Sequence, residues 1–166
     1  MAFPAASASK NGNLVVNPSG TNPGELETFL RCPPWWALDL SQIKGSPDYR
    51  GENTVVATQP GRAPNPLRMD QGTYVVNMRV CGEVDASSNL SVASAMLQTL
   101  DDNMDFLWDN VGAPPTGSST RTAKLIRPDG SSVTDEVQFK LHTGEQKGIY
   151  RRAAFEVIVP GGRFGA

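Results

Sequence analysis

Apolar and polar residues alternate through residues 73–81: Tyr74, Val76, Met78 and Val80 fall on one face, with Thr73, Asn77 and Arg79 on the other beside Val75 and Cys81. Successive side chains of a strand point to opposite sides, so this period of two predicts a half-buried strand. The period then changes. Between 90 and 111, Ala93, Met96, Leu97, Leu100, Met104, Leu107, Trp108 and Val111 recur at spacings of three and four, which predicts a single amphipathic helix with these residues as its apolar stripe. Ser87-Ser88-Asn89 offers an N-cap, and Gly112 followed by Pro114-Pro115 stops the helix.

After a polar connection at 116–120, residues 121–127 and 132–142 predict a β-hairpin. In its turn, Pro128 presets φ and Gly130 accepts a positive φ at low cost. Val133, Val137, Phe139 and Leu141 share one face of the return strand. A turn over 143–148 leads to a last strand, 149–159, in which Phe155, Val157 and Val159 alternate inward. One strand, one helix and then three strands, joined by short connections, favour antiparallel pairing over a doubly wound sheet, which needs repeated crossovers. The predicted fold is therefore mainly β: an antiparallel β-sandwich or barrel with one flanking α-helix and an extended N-terminal arm.

The arm is residues 1–34, where Asn, Gly, Ser and Pro dominate around one possible short strand, Leu14-Val15-Val16. By composition it is either a loose tail or a segment that orders on a neighbouring subunit. Residues 35–166 are read as a single β domain with its helix at about 90–111. The domain opens on Trp35 and Trp36, which on a strand would point to opposite faces. Residues 44–53 read as a turn-rich loop leading to a short strand at 54–58. Prolines at 60, 64 and 66 predict no regular structure through 59–66, a loop suited to contacts.

Composition agrees with a β fold rich in turns: 16 Gly and 13 Pro in 166 residues, with 39% hydrophobic and 19% charged. That length suits one domain. A formal charge of −2 argues against a basic nucleic-acid-binding surface, though not against one that DNA slides past. Two cysteines, Cys32 and Cys81, are too few for a disulfide framework. The N-terminus lacks the basic and apolar regions of a signal peptide, and no apolar run approaches the roughly 18 residues needed to span a membrane. The chain is therefore expected to be made and kept in the cytoplasm.

Candidate chemistry is sparse, and no catalytic, cofactor-binding or metal-ligating residue is assigned. The single histidine, His142, sits at the end of a predicted strand and reads as a surface residue. No Gly-x-Ser-x-Gly elbow, paired Cys-x-x-Cys or glycine-rich phosphate loop occurs. Ser41-Gln42-Ile43-Lys44 matches a Ser-x-x-Lys pattern without its companion motifs. Asp101, Asp102, Asp105 and Asp109 lie on the predicted helix and lack the spacing and glycine of a Ca²⁺ loop. They read as a solvated acidic face, or as a surface that repels DNA phosphates.

A series of motifs resembles a known family. Trp36-Ala37-Leu38-Asp39-Leu40 leads to Tyr49-Arg50-Gly51-Glu52-Asn53-Thr54-Val55-Val56 and then to Pro60-Gly61-Arg62. Met78-Arg79-Val80-Cys81-Gly82-Glu83-Val84-Asp85, the helix, and Ile158-Val159-Pro160-Gly161-Gly162 follow. In this order, across about residues 35–163, the chain resembles tail components of long-tailed, siphovirus-type phages of actinobacteria. It departs from them after Arg62, where Ala63-Pro64-Asn65-Pro66 stand in place of further basic residues.

The resemblance implies the fold shared by tail-tube, distal-tail and tail-terminator proteins, whose subunits form rings, usually six-fold, around a DNA channel. It implies a virion structural protein of the tail, most like a distal-tail or tube-type subunit, assembled in the host cytoplasm. Its partners would be copies of itself in a hexameric ring and tail proteins stacked above and below. DNA would pass through without specific binding, and neither membrane nor cofactor would be involved. The alternative within this class is a tail terminator or head–tail joining ring. Trp35, Trp36, Arg50, Glu52 and Arg62 are the candidate assembly contacts, and the four aspartates the candidate acidic surface. From other classes come a carbohydrate-binding β-sandwich stacking sugars on Trp35 and Trp36, and a small hydrolase using Ser41 or His142.

Overall fold

The computed structural model describes residues 12–20, 24–31, 35–37, 40, 49–50, 54–55, 62–63, 68–69, 71–82 and 92–165. Within them the strands are β1 (Asn13–Val16), β2 (Thr28–Phe29), β3 (Trp35–Ala37), β4 (Tyr49–Arg50), β5 (Thr54–Val55), β6 (Arg62–Ala63) and β7 (Arg68–Met69). β8 (Gly72–Cys81) precedes the helix α1 (Val92–Leu107), and β9 (Arg121–Ile126), β10 (Ser132–Lys147) and β11 (Tyr150–Val159) follow it. Seven strands form one sheet in the order β2-β1-β9-β10-β11-β8-β3. Every pairing in it is antiparallel. The sheet curls into a half-barrel with the helix against it, the mainly β architecture expected from the alternation.

Alternation decides which side of the sheet is core. Tyr74, Val76, Met78 and Val80 of β8, Ala123 and Leu125 of β9, Val137 and Phe139 of β10, and Ala153, Phe155, Val157 and Val159 of β11 are all buried. Burial of this apolar surface, at roughly 25 cal/mol per Å², is the main force closing the half-barrel. Phe139 and Phe155 meet edge to face with centroids 5.7 Å apart, a geometry that suits the ring quadrupoles.

Residues 13–16 and 28–29 lie inside the stretch expected to be an arm, yet both are strands of this sheet. β1 pairs with β2 on one side and with β9 on the other, Leu14 opposite Leu125 and Val16 opposite Ala123. Leu14 and Val16 are wholly buried and belong to the same core cluster as Phe155 and Leu107. A boundary at 34/35 does not separate these strands from the rest. Composition pointed to an arm because the flanking Asn, Gly and Pro outnumber the four residues that make the strand.

Other elements differ in extent. β10 continues to Lys147, through most of the turn expected over 143–148, because after an irregularity between Thr143 and Gln146 the ladder resumes with Gln146 opposite Arg151 and Lys147 opposite Tyr150. Arg62 and Ala63, in a stretch expected to lack regular structure, pair with Val55 and Thr54. Proline denies a donor only at its own position, and these two residues keep theirs. The Arg127–Ser131 turn is as predicted. Gly130 has φ +84° and donates to the Arg127 carbonyl at 2.9 Å, while Asp129 Oδ1 accepts from the Ser131 amide at 2.9 Å and hydroxyl at 2.7 Å.

The helix ends earlier than expected, at Leu107, and continues as one π-helical turn, Trp108–Gly112. The N-cap expected at Ser87-Ser88-Asn89 lies outside the described residues. The helix is also rotated from its expected stripe. Leu100, Met104, Leu107 and Val111 are buried as expected, but Ala95, Thr99 and Asn103 join them, whereas Ala93, Leu97 and Trp108 are exposed. Two contacts set this rotation. Asn103 Nδ2 donates to the Cys81 carbonyl at 2.8 Å, and Gly82 lies so close to the helix that a Cβ there would sit 1.9 Å from the Met96 carbonyl oxygen. A buried amide that satisfies a strand-end carbonyl outweighs the small apolar gain of turning Leu97 inward.

Candidate functional site

The residues singled out in the sequence do not converge on one site. Trp35 is buried, stacks on Phe106 with centroids 5.1 Å apart, and its indole N–H donates to the Phe29 carbonyl at 3.0 Å. It ties β3 to α1 and β2, which removes it from the candidate surface contacts and from sugar stacking. Trp36 pairs through its backbone with Arg79. Arg50 pairs with Arg68, and Arg62 with Val55. Glu52 and Ser41 lie outside the described residues. His142 is exposed, 3.4 Å from Glu156 Oε2. Among the described residues no group of three or more His, Cys, Asp or Glu is placed to hold a metal ion, and no helix is long and apolar enough to cross a membrane.

The four aspartates form a coherent surface. The side chains of Asp101, Asp102, Asp105 and Asp109 are all exposed, turned away from the sheet. None makes an ion pair among the described residues. Asp101, Asp105 and Asp109 follow each other at a spacing of four, where like charges repel along a helix. Leu97 and Trp108, the latter 50% exposed, flank this acidic strip.

The outer face of the sheet has the opposite character. Arg79 of β8 stands directly opposite Arg152 of β11, and both are exposed. Like charges directly opposite destabilise a strand pair. The Arg79 guanidinium lies over the Tyr150 ring, 4.8 Å from its centroid. Further along this face, Val75 opposes Glu156, which is in turn opposite Lys140 and 3.7 Å from it.

A third region was not anticipated, the junction at the end of the helix. Arg121, only 3% exposed, occupies the same parity on β9 as Ala123 and Leu125. Its guanidinium pairs with Glu25 and donates to the Asp109 carbonyl at 3.0 Å and to the Ala113 carbonyl. No basic residue stands in the last turn of the helix itself, so Arg121 supplies from another element the positive charge that a helix C-terminus favours. Asn17, at φ +53°, donates to the Asn110 carbonyl at 3.0 Å, and the Leu26 amide donates to Asn110 Oδ1 at 3.1 Å. A cavity of about 450 Å³ borders this junction, lined in part by Glu25, Asp109, Pro114, Pro115 and Arg121. With its buried charge already paired, the arrangement is a clasp between the N-terminal strands and the helix end. The sequence signal for it was a charged residue at a core parity in β9.

No protein-family model matches the chain, and no curated protein matches it. Among solved structures it is similar to the Dit protein (gp 19.1) of phage SPP1, described as a paradigm of the hub adsorption apparatus in phages infecting Gram-positive bacteria. The TM-score is 0.57 at 8% identity, and the match covers 91% of this chain and 50% of that one. The chain therefore spans about half the length of the protein it matches. The likeness shows a shared fold.

Proposed function

We propose that this chain is a structural subunit of a long-tailed phage tail that assembles as a ring around the DNA channel, read as a hexamer and most like a distal-tail or tube-type protein. The observation that carries this reading is the half-barrel with one flanking helix, which shares its fold with SPP1 Dit along 91% of the chain. The motif series from Trp36 to Gly162 independently resembles tail components. The function in this reading is steric: a ring that stacks on other tail proteins and lets DNA pass. The formal charge of −2 suits a channel that does not retain DNA. Residues outside any chemical site, such as the exposed His142, need no catalytic role here.

Light scattering on the purified protein, followed by negative-stain imaging of the same sample, tests the reading. Rings with a central hole are expected, with a mass near six subunits. A protein that stays monomeric at every concentration would count against self-assembly. The carbohydrate-binding alternative is left with Trp36 alone, since Trp35 is buried under Phe106. Glycan-array binding lost in Trp36→Ala would revive it.

A further inference from the structure

Two exposed surfaces of the molecule carry uncompensated charge of opposite sign beside exposed apolar residues, and they face away from each other across the core. On the helix, a step of about 100° per residue puts Asp101 and Asp105 within about 80° of Leu97 around the axis, and Trp108, three residues after Asp105, opens the π-helical turn. On the outer face of the sheet, Arg79 and Arg152 stand side by side in register, with Val75 four residues along β8 on the same face. Neither arginine makes an ion pair among the described residues. Each surface holds like charges that repel within the chain, and each would be relieved by the other. A half-exposed tryptophan amid carboxylates is poorly suited to bare solvent and well suited to the centre of a contact.

We propose that successive copies of this chain join head to tail, the Leu97–Trp108 side of α1 on one copy seating on the Val75, Arg79 and Arg152 face of the next. The occupant is a second copy because the complementary surface is present on this same chain. A two-fold contact would set carboxylates against carboxylates and arginines against arginines, so the charges select the heterologous arrangement that generates rings or filaments. This inference rests on the ring reading and names its interface.

The test uses two charge-reversed full-length proteins, D101K/D105K and R79E/R152E, each checked for native circular dichroism. The single substitutions Asp105→Lys and Arg152→Glu replace either pair if it unfolds; Arg152→Glu also leaves the Arg79–Tyr150 contact in place. Each variant alone is expected to fall from ring mass to monomer mass in light scattering. Mixed in equal amounts they are expected to regain ring mass, because the reversed helix of one then meets the reversed sheet of the other in alternation. Folded variants that keep ring mass would overturn the interface and leave the ring reading intact. Monomeric variants whose mixture stays monomeric would overturn the pairing of these two faces. A wild-type protein that never assembles would overturn both readings.

Discussion

Arg121 and Glu25 form an ion pair across 96 positions of sequence, with the arginine 3% and the carboxylate 12% exposed. The pair joins the first residue of β9 to the segment between β1 and β2, and the same guanidinium holds the carbonyls at the end of the helix. Three parts of the chain that share no local sequence signal meet at one side chain.

Breaking that clasp should be costly. Removing one partner of a buried pair leaves the other charge unpaired, at about 3–5 kcal/mol. Arg121→Ala also leaves the Asp109 and Ala113 carbonyls without this donor. Denaturant unfolding of Arg121→Ala should show a loss of that size. Glu25→Gln, which keeps a polar acceptor for the guanidinium and leaves its bonds to the Asp109 and Ala113 carbonyls in place, should lose less. Equal losses would show that the arginine acts only as a partner for Glu25.

The N-terminal strand should be needed for folding. Leu14 is wholly buried between β2 and β9, so Leu14→Ala should cost about 2–5 kcal/mol. Deleting residues 1–30 removes β1 and β2 entirely and should abolish cooperative unfolding and near-ultraviolet circular dichroism. A truncated protein that melts cooperatively near the wild-type temperature would place residues 13–29 outside the folding unit.

Tyr74 should make the protein sensitive to alkali. Its hydroxyl donates to the Gly162 carbonyl at 2.6 Å, and burial pushes its pKa above the ordinary value of 10.0, against a smaller lowering by Arg163. The folded state then holds the phenolic proton in a pH range where the unfolded chain has released it. This contribution to stability is fully present below pH 10 and is lost as pH rises through the folded pKa. Tyr74→Phe should cost about 0.5–1.5 kcal/mol at neutral pH and should flatten the decline in stability above pH 10. Chemical denaturation at a series of alkaline pH values reads both effects.

Gly82 should not tolerate a side chain. An added Cβ would approach the Met96 carbonyl oxygen to 1.9 Å, and because a Cβ is fixed directly to its own backbone and the oxygen belongs to the other, the two backbones must then part. Gly82→Ala should destabilise by about 1–3 kcal/mol and loosen the helix against β8. Faster amide exchange along α1 than along β11 would be the signature. An unchanged melting temperature would mean that the helix docks without this close approach.

Much of the sheet was legible in the sequence because alternation is a local property. The parity of Tyr74, Val76, Met78 and Val80 names the buried face of β8 whatever lies opposite, and Pro128-Asp129-Gly130 makes its turn without help from elsewhere. The acidic strip of Asp101, Asp105 and Asp109 was equally plain, since burying it would leave three charges unpaired.

What only the tertiary structure decided depends on contacts between distant parts of the chain. The helix stripe of three- and four-residue spacings left its orientation open by a few tens of degrees. The choice between Leu97 and Asn103 as the inward residue then fell to a carbonyl at Cys81. Leu14-Val15-Val16 reads the same in a loose arm and in an interior strand, and pairing with β9, more than a hundred residues later, settles it. Trp35 and Trp36 look equivalent as neighbours, until Phe106 packs against the first. Local chemistry determines which residues prefer a strand, a turn or water. Which of several apolar residues reaches the core is set by the shape of the rest of the chain, because burial stabilises only where a complementary surface already exists.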